Sequence, residues 1–172
     1  MLDKLLDEKI KTYPDFPKKG IIYRDVLPIL SYPDIFSKLI DSMSKAYIYD
    51  DCEAIIAVDA RGFVFGSAIA LKLKKPLILA RKPNKLPGQI ISREYDLEYG
   101  KNSLSLSKES INEFNKFVIV DDLIATGGTI ECILKLIQSQ KKNVIGLSVV
   151  IELVELKARE KFNFPTISCI QY

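Results

Sequence analysis

Asp121 and Asp122 are adjacent carboxylates placed between an apolar run, Phe117-Val118-Ile119-Val120, and a small, hydroxyl-bearing loop, Ala125-Thr126-Gly127-Gly128-Thr129. Ionised carboxylates only accept hydrogen bonds, so a pair of them suits a vicinal diol, which offers two O–H donors. The paired glycines let the backbone approach an anion closely, and Thr126 and Thr129 add hydroxyl donors. Behind the loop Ile130, Ile133, Leu134 and Ile137 recur at helical spacing. The loop therefore opens a helix, and a helix start has unpaired N–H groups that seat phosphate. Phosphate at one end with a diol beside it describes a ribose 5-phosphate. An ordinary turn with a solvated acidic pair is the plainer alternative, and the order of the whole constellation argues against it. No Gly-Lys-Ser/Thr triplet follows a strand, so this is not a Walker A loop. Aspartates, not a glycine, follow the apolar run, so it is not a dinucleotide fingerprint either.

Four other stretches could serve the same chemistry. Asp59-Ala60-Arg61-Gly62 ends an apolar run as the acid pair does, and Arg61 there is either a donor fork for phosphate or half of a surface ion pair. Arg81, Lys82 and Lys85 place three cations on one loop, enough to offset much of a diphosphate's charge or simply a solvated basic loop. Glu94-Tyr95-Asp96-Leu97-Glu98-Tyr99-Gly100 mixes acids and tyrosines in an excursion suited to a lid that excludes water. Between Tyr13 and Asp25, Tyr23 and Arg24 join an apolar run that could stack on a flat heterocycle.

These sites need a scaffold that brings strand ends together. Leu2, Leu5, Leu6 and Ile10 predict a starter helix within residues 2–13, and Tyr13 to Gly20 holds two prolines and a glycine that break regular structure. An extended run follows from Ile21 to Val26. Ser31-Tyr32-Pro33-Asp34 predicts a capping box, opening a helix through Ile35, Phe36, Leu39, Ile40, Met43 and Tyr47. Ala54–Val58, a helix through Ala68, Ile69 and Leu71, and Pro76–Ala80 form a βαβ unit, so the sheet should be parallel. From Arg81 to about Lys101 little periodicity remains, and a long functional loop is expected. Ser103–Ser107 alternates like a half-exposed strand. After the phosphate-loop unit come a strand at Val144–Ile151, a short helix near Leu156–Lys161 and a strand at Ile167–Ile170. Ligands of open α/β sheets gather at the carboxyl ends of strands, so the Asp59 and Asp121 loops should share one crevice.

Bulk properties narrow the function. The 172 residues and 19.5 kDa suit one domain, and the net charge of +3 leaves no footprint for nucleic acid or an anionic membrane. No apolar run is long enough to span a bilayer, and the first residues do not resemble a signal peptide. Three scattered cysteines, Cys52, Cys132 and Cys169, read as reduced thiols of a cytoplasmic protein. The absence of histidine removes Ser-His-Asp and Cys-His catalysis and His-containing zinc sites, leaving a hard, oxygen-held ion such as Mg²⁺ as the metal to expect.

The acid pair and phosphate loop resemble the signature of the type I phosphoribosyltransferases, which bind phosphoribosyl diphosphate (PRPP). Asp15-Phe16-Pro17, Gly20 to Asp25, Asp59 to Phe63, Arg81 to Gly88, Tyr95 to Gly100, Ile151-Glu152-Leu153 and Arg159-Glu160-Lys161 resemble the adenine-specific branch, in its order. Tyr23 stands where phenylalanine is usual, and Asn115-Lys116 where a glycine turn is common.

The resemblance implies an α/β fold with a mainly parallel central sheet flanked by helices, a small N-terminal base-binding hood and a flexible catalytic loop. It implies one domain over residues 1–172, with 1–33 recognising the base and 34–172 binding PRPP. The implied reaction is adenine plus PRPP giving AMP and diphosphate, a purine-salvage pentosyl transfer with Mg²⁺ held indirectly through PRPP or diphosphate. Ala125, Thr126, Gly127, Gly128 and Thr129 would bind the 5-phosphate, and Asp121 and Asp122 the ribose. Asp59, Ala60, Arg61, Arg81, Lys82 and Lys85 would hold diphosphate, with a non-proline cis peptide at Asp59-Ala60. Ile22, Tyr23, Arg24 and Leu123 would frame adenine. Tyr95, Glu98 and Tyr99 belong to the flexible loop, and Glu98, Arg61 and Lys82 are the catalytic candidates. A homodimer is implied, with Lys85 partly serving the partner's site; Phe63 and Phe65 could lie at its interface or inside the monomer. Other nucleobases, and a non-enzymatic PRPP-sensing regulator, are the competing functions.

Overall fold

The computed structural model describes residues 2–97 and 100–172. Helix α1 (Leu2–Asp7) is shorter than the apolar spacing predicts. Lys11–Pro14 leave it as strand β1 and pair antiparallel with β2 (Ile22–Asp25), Tyr13 opposite Tyr23. A helix of one or two turns has little cooperative stability of its own, so cross-strand pairing decides the conformation of these residues. Pro14, expected to break structure, closes β1 on an edge, where its missing N–H is tolerated. In the turn between the strands Asp15 adopts φ +57°, its carboxylate accepts from the Gly20 N–H at 2.7 Å, and Phe16-Pro17 is cis.

The predicted capping box does not form. A 3-10 turn at Leu27–Ser31 takes up Ser31, and helix α2 (Pro33–Ser44) starts from Tyr32 with no side-chain cap. Leu39, Ile40 and Met43 are buried as expected, whereas Tyr47 lies past the helix end in a separate turn and is 64% exposed.

Strand β3 (Ala54–Val58), helix α3 (Gly62–Leu73) and strand β4 (Leu77–Ala80) form the βαβ unit, β3 and β4 pairing in parallel. Beyond Arg81 the chain is not the loop its weak periodicity suggests. β5 (Ile90–Leu97) and β6 (Gly100–Ser107) form an antiparallel hairpin running from Ile90 opposite Ser107 to Leu97 opposite Gly100. Nor is Ser103–Ser107 half exposed. Leu104, Ser105 and Leu106 are all buried, because the Ser105 backbone exchanges hydrogen bonds of 2.9 and 2.8 Å with Arg81 and its hydroxyl lies 2.7 Å from that of Ser92. A polar residue so satisfied is buried at little cost.

After the short helix α4 (Lys108–Asn112), β7 (Lys116–Ile124) passes through the acid pair and leads to α5 (Gly128–Ser139), β8 (Asn143–Glu152) and β9 (Thr166–Gln171). The helix predicted near Leu156–Lys161 is instead two 3-10 turns, Val154–Leu156 and Ala158–Lys161, separated by Lys157 at φ +51°. The main sheet is parallel throughout, in the order β4-β3-β7-β8-β9. Its central strands are apolar on both faces: Ile56, Ile119 and Leu147 pack with Ile133 of α5, while Ile55, Val118 and Val150 pack with Phe65 and Leu39. Phe65 is thus core within the monomer, and Phe63 is half-buried.

Candidate active site

The carboxyl ends of β3 and β7 open onto one cavity of about 310 Å³. Asp59, Ala60 and Arg61 line it from the turn before α3, and Asp121 to Thr129 from the end of β7 and the start of α5. Lys82, Tyr95 and Asn102 complete the wall. Two loops that are 62 residues apart in sequence thus face each other because their strands are neighbours, Ala57 standing beside Val120.

The acid pair lies inside β7, not beyond its end, and both aspartates are buried. Gly62 makes this packing possible, since a Cβ there would fall 2.8 Å from Asp121 Oδ1 and 3.0 Å from the Val120 carbonyl. Asp121 Oδ1 accepts from the Asp122 N–H at 2.8 Å, and Asp122 Oδ2 pairs with Arg61 Nε at 2.9 Å. Burial raises the pKa of Asp121 well above the ordinary carboxylate range, and the neighbouring Asp122 charge raises it further. Burial also raises Asp122, with Arg61 opposing the shift. Two desolvated carboxylates with few internal donors are a strong acceptor site for incoming hydroxyls.

Arg61 is held from a second side, for its Nη1 donates to the Tyr23 hydroxyl and its guanidinium carbon lies 5.3 Å from the Tyr23 ring centre. Arg81 Nε donates to Asp59 Oδ2 at 2.9 Å, and the Lys82 N–H reaches the same oxygen at 3.3 Å. The Asp59-Ala60 peptide is cis. At the other end of the cavity Gly127 takes φ +84° and turns the chain into α5, a conformation a side chain would strain. The first N–H groups of that helix lie within the Ala125–Thr129 wall. Thr129 Oγ1 donates to the Tyr95 hydroxyl at 3.4 Å, tying the β5–β6 hairpin to the loop.

The cavity thus gathers Ala125, Thr126, Gly127, Gly128, Thr129, Asp121, Asp122, Leu123, Asp59, Ala60, Arg61, Lys82 and Tyr95. Arg81 stands behind it through Asp59, and Lys85 is exposed and outside its wall. The candidates on β2 divide by strand alternation. Tyr23 faces Arg61, whereas Arg24 turns to the other face, donating to Thr12 Oγ1 at 2.7 Å and lying 3.9 Å over the Tyr172 ring. Ile22 and Arg24 line a separate cavity of about 380 Å³ with Leu153, Leu156 and Tyr172. Glu98 and Tyr99 lie outside the described residues. Sequence reasoning gave no role to Asn102, which falls between the expected loop and the Ser103–Ser107 strand, or to Lys161, whose ammonium donates to the Thr126 carbonyl at 2.7 Å from 35 residues away. No local pattern marks a contact at that separation. Among the described residues no group of three His, Cys, Asp or Glu could hold a metal ion.

The phosphoribosyl transferase domain family matches residues 31–171. The chain is 56% identical over 170 residues to an adenine phosphoribosyltransferase of Prochlorococcus marinus, covering 99% of both. It is 43% identical to that of Halothermothrix orenii, covering 91% of this chain and 92% of the relative. Among solved structures, adenine phosphoribosyltransferase of Thermoanaerobacter pseudethanolicus superposes with a TM-score of 0.92 at 39% identity over 100% of both chains. The Saccharomyces cerevisiae protein, complexed with an imino-altritol bisphosphate and adenine, superposes with 0.88 at 34% identity over 98% of both.

Proposed function

The chain belongs to the phosphoribosyl transferase family, and from that premise we propose that it is an adenine phosphoribosyltransferase, converting adenine and PRPP to AMP and diphosphate in purine salvage. The observation that carries this reading is the single cavity in which the buried acid pair, the helix-start loop and Arg61 converge. Curated relatives of the same name match over nearly the whole chain and support it.

In the proposed roles Ala125–Thr129 bind the 5-phosphate through backbone N–H groups and the two threonine hydroxyls. Asp121 and Asp122 accept from the ribose hydroxyls. Arg61 and Lys82 stabilise the diphosphate, and Arg81 holds Asp59 and the cis turn in place. Tyr23 and Leu123, with the backbone of Ile22 and Arg24, frame adenine. Residues 1–33 thus serve the base and 34–172 PRPP. The C1′–O bond breaks with its electron pair leaving on the diphosphate, and C1′ becomes oxocarbenium-like. Adenine N9 then forms the new bond on the opposite face, inverting C1′, and the N9 proton is lost. Glu98 is the proposed group that stabilises the cation or takes that proton. The protein contributes positioning and charge stabilisation.

The donor set fits Mg²⁺. An ion that keeps several waters needs only substrate phosphates and one or two carboxylates, and the acid pair lies beside Arg61, a proposed diphosphate ligand. Bound there, it would offset diphosphate charge. A homodimer is also proposed, in which the exposed Lys85 serves its partner's site. The cytoplasm is the proposed compartment, in keeping with three free thiols.

The test is a panel of adenine, hypoxanthine, guanine, xanthine and orotate, each with PRPP and Mg²⁺. Turnover with adenine alone is expected. Turnover with another base would keep the PRPP site and overturn the base assignment, and PRPP binding without any turnover would mark a regulator.

A further inference from the structure

Residues 154–162 lie behind the phosphate loop and hold it at two places. Lys161 Nζ donates to the Thr126 carbonyl at 2.7 Å. Ala158 and Phe162 close on Gly127 so tightly that a Cβ there would meet Phe162 Cζ at 3.1 Å and Ala158 Cβ at 3.2 Å. Two short 3-10 turns cannot fix such a segment by themselves. Its anchor is Arg159, whose Nε and Nη2 donate to the two oxygens of Glu152 at 2.9 and 2.5 Å. Glu152 is 4% exposed at the end of β8 and also accepts from Ser168 Oγ at 2.7 Å and Gln171 Nε2 at 3.1 Å. A buried carboxylate with four donors is a far more determined geometry than a surface ion pair.

The link to function is the peptide between Thr126 and Gly127. In a trans peptide the carbonyl and the next N–H project from opposite edges. Holding the Thr126 carbonyl on Lys161 therefore sets the direction of the Gly127 N–H, which has no backbone partner among the described residues. We infer that Lys161, carried by the Arg159–Glu152 anchor, is a positioning residue that presets the phosphate loop for the 5-phosphate. This rests on the assignment of Ala125–Thr129 to that phosphate.

The test compares wild type, Lys161→Met, Lys161→Arg and Glu152→Gln in steady-state kinetics, in titration with ribose 5-phosphate and in thermal unfolding. Lys161→Met should raise the PRPP KM and the ribose 5-phosphate Kd about tenfold, the size of one charge-assisted hydrogen bond. The adenine KM should not move, Tm should fall by no more than the few degrees one exposed hydrogen bond costs, and Lys161→Arg should recover most of the loss. Glu152→Gln should weaken the same two constants while also lowering Tm. Unchanged PRPP and ribose 5-phosphate constants in Lys161→Met, with wild type binding normally, would overturn the positioning role alone. A parallel rise in both substrates' KM would reduce it to general structural support and overturn it too. Wild type that fails to bind ribose 5-phosphate would instead sink the phosphate-loop assignment beneath it.

Discussion

Gly62 has no side chain at the point where α3 meets the acid pair, and an added Cβ would press on Asp121 and on the Val120 backbone. Gly62→Ala must therefore push the helix or the strand aside. The expected cost is about 1–3 kcal/mol of stability, with a larger proportional loss of activity than of Tm because the displaced group is Asp121. Unfolding and steady-state kinetics on the same sample check this, and normal kinetics in a destabilised variant would show that the acid pair tolerates movement. Asp121 itself is held against its own stability. Its native pKa is raised from an ordinary 3.8 by burial and by Asp122. Protonation therefore favours the native state: the penalty is absent below about pH 3.8, grows above it and is complete once pH has risen through the raised native value. Asp121→Asn removes that penalty, so at neutral pH its Tm should rise above that of wild type, while PRPP affinity falls. A variant less stable than wild type at neutral pH would contradict the assignment of strain to this charge.

At the scale of elements, the N-terminal hairpin and the end of β9 are joined through one residue. Tyr172 lies under the Arg24 guanidinium, its hydroxyl donates to Asp7 at 2.6 Å, and its backbone exchanges bonds with Glu152 and Val154. Tyr172→Ala should loosen β2 and raise the adenine KM several-fold with little change for PRPP, whereas Tyr172→Phe, which keeps the ring, should lose only about 1 kcal/mol of stability. Equal effects of Ala on both substrates would argue that the contact supports the whole domain. Between β8 and the turns after it, Arg159 and the hydroxyl and amide donors lower Glu152 from 4.5 to about 2. The sign is opposite to that of Asp121: the stabilisation is fully present above pH 4.5 and is lost as pH falls through about 2. Wild-type Tm should decline across that window, and Glu152→Gln should flatten that part of the decline. A Tm profile unchanged by the substitution would remove Glu152 from acid stability.

For the whole molecule, the expectation is a homodimer, and sedimentation equilibrium should give about twice the 19.5 kDa chain mass; a monomer with full activity would exclude any role for Lys85 in a partner's site. How much of this assembly the chain announces depends on distance along it. The phosphate loop, the acid pair, β3 and the helix behind Gly128 were legible because each is a contiguous stretch whose residue types already state its geometry: apolar runs for buried strands, glycine and threonine for an anion, periodic isoleucines for a helix. Their shared crevice followed from the rule for parallel sheets. The sequence by itself thus determined the sheet class and which loops meet in the shared cavity. Tertiary structure alone decided that Lys11–Pro14 pair as a strand, that Ile90 to Ser107 fold as a hairpin, that Arg24 turns from Arg61 while Tyr23 meets it, and that Lys161 reaches Thr126. In each of these the deciding partner is distant in sequence. Local preferences there are small, and the free energy of pairing and burial exceeds them only once the chain has brought the partners together.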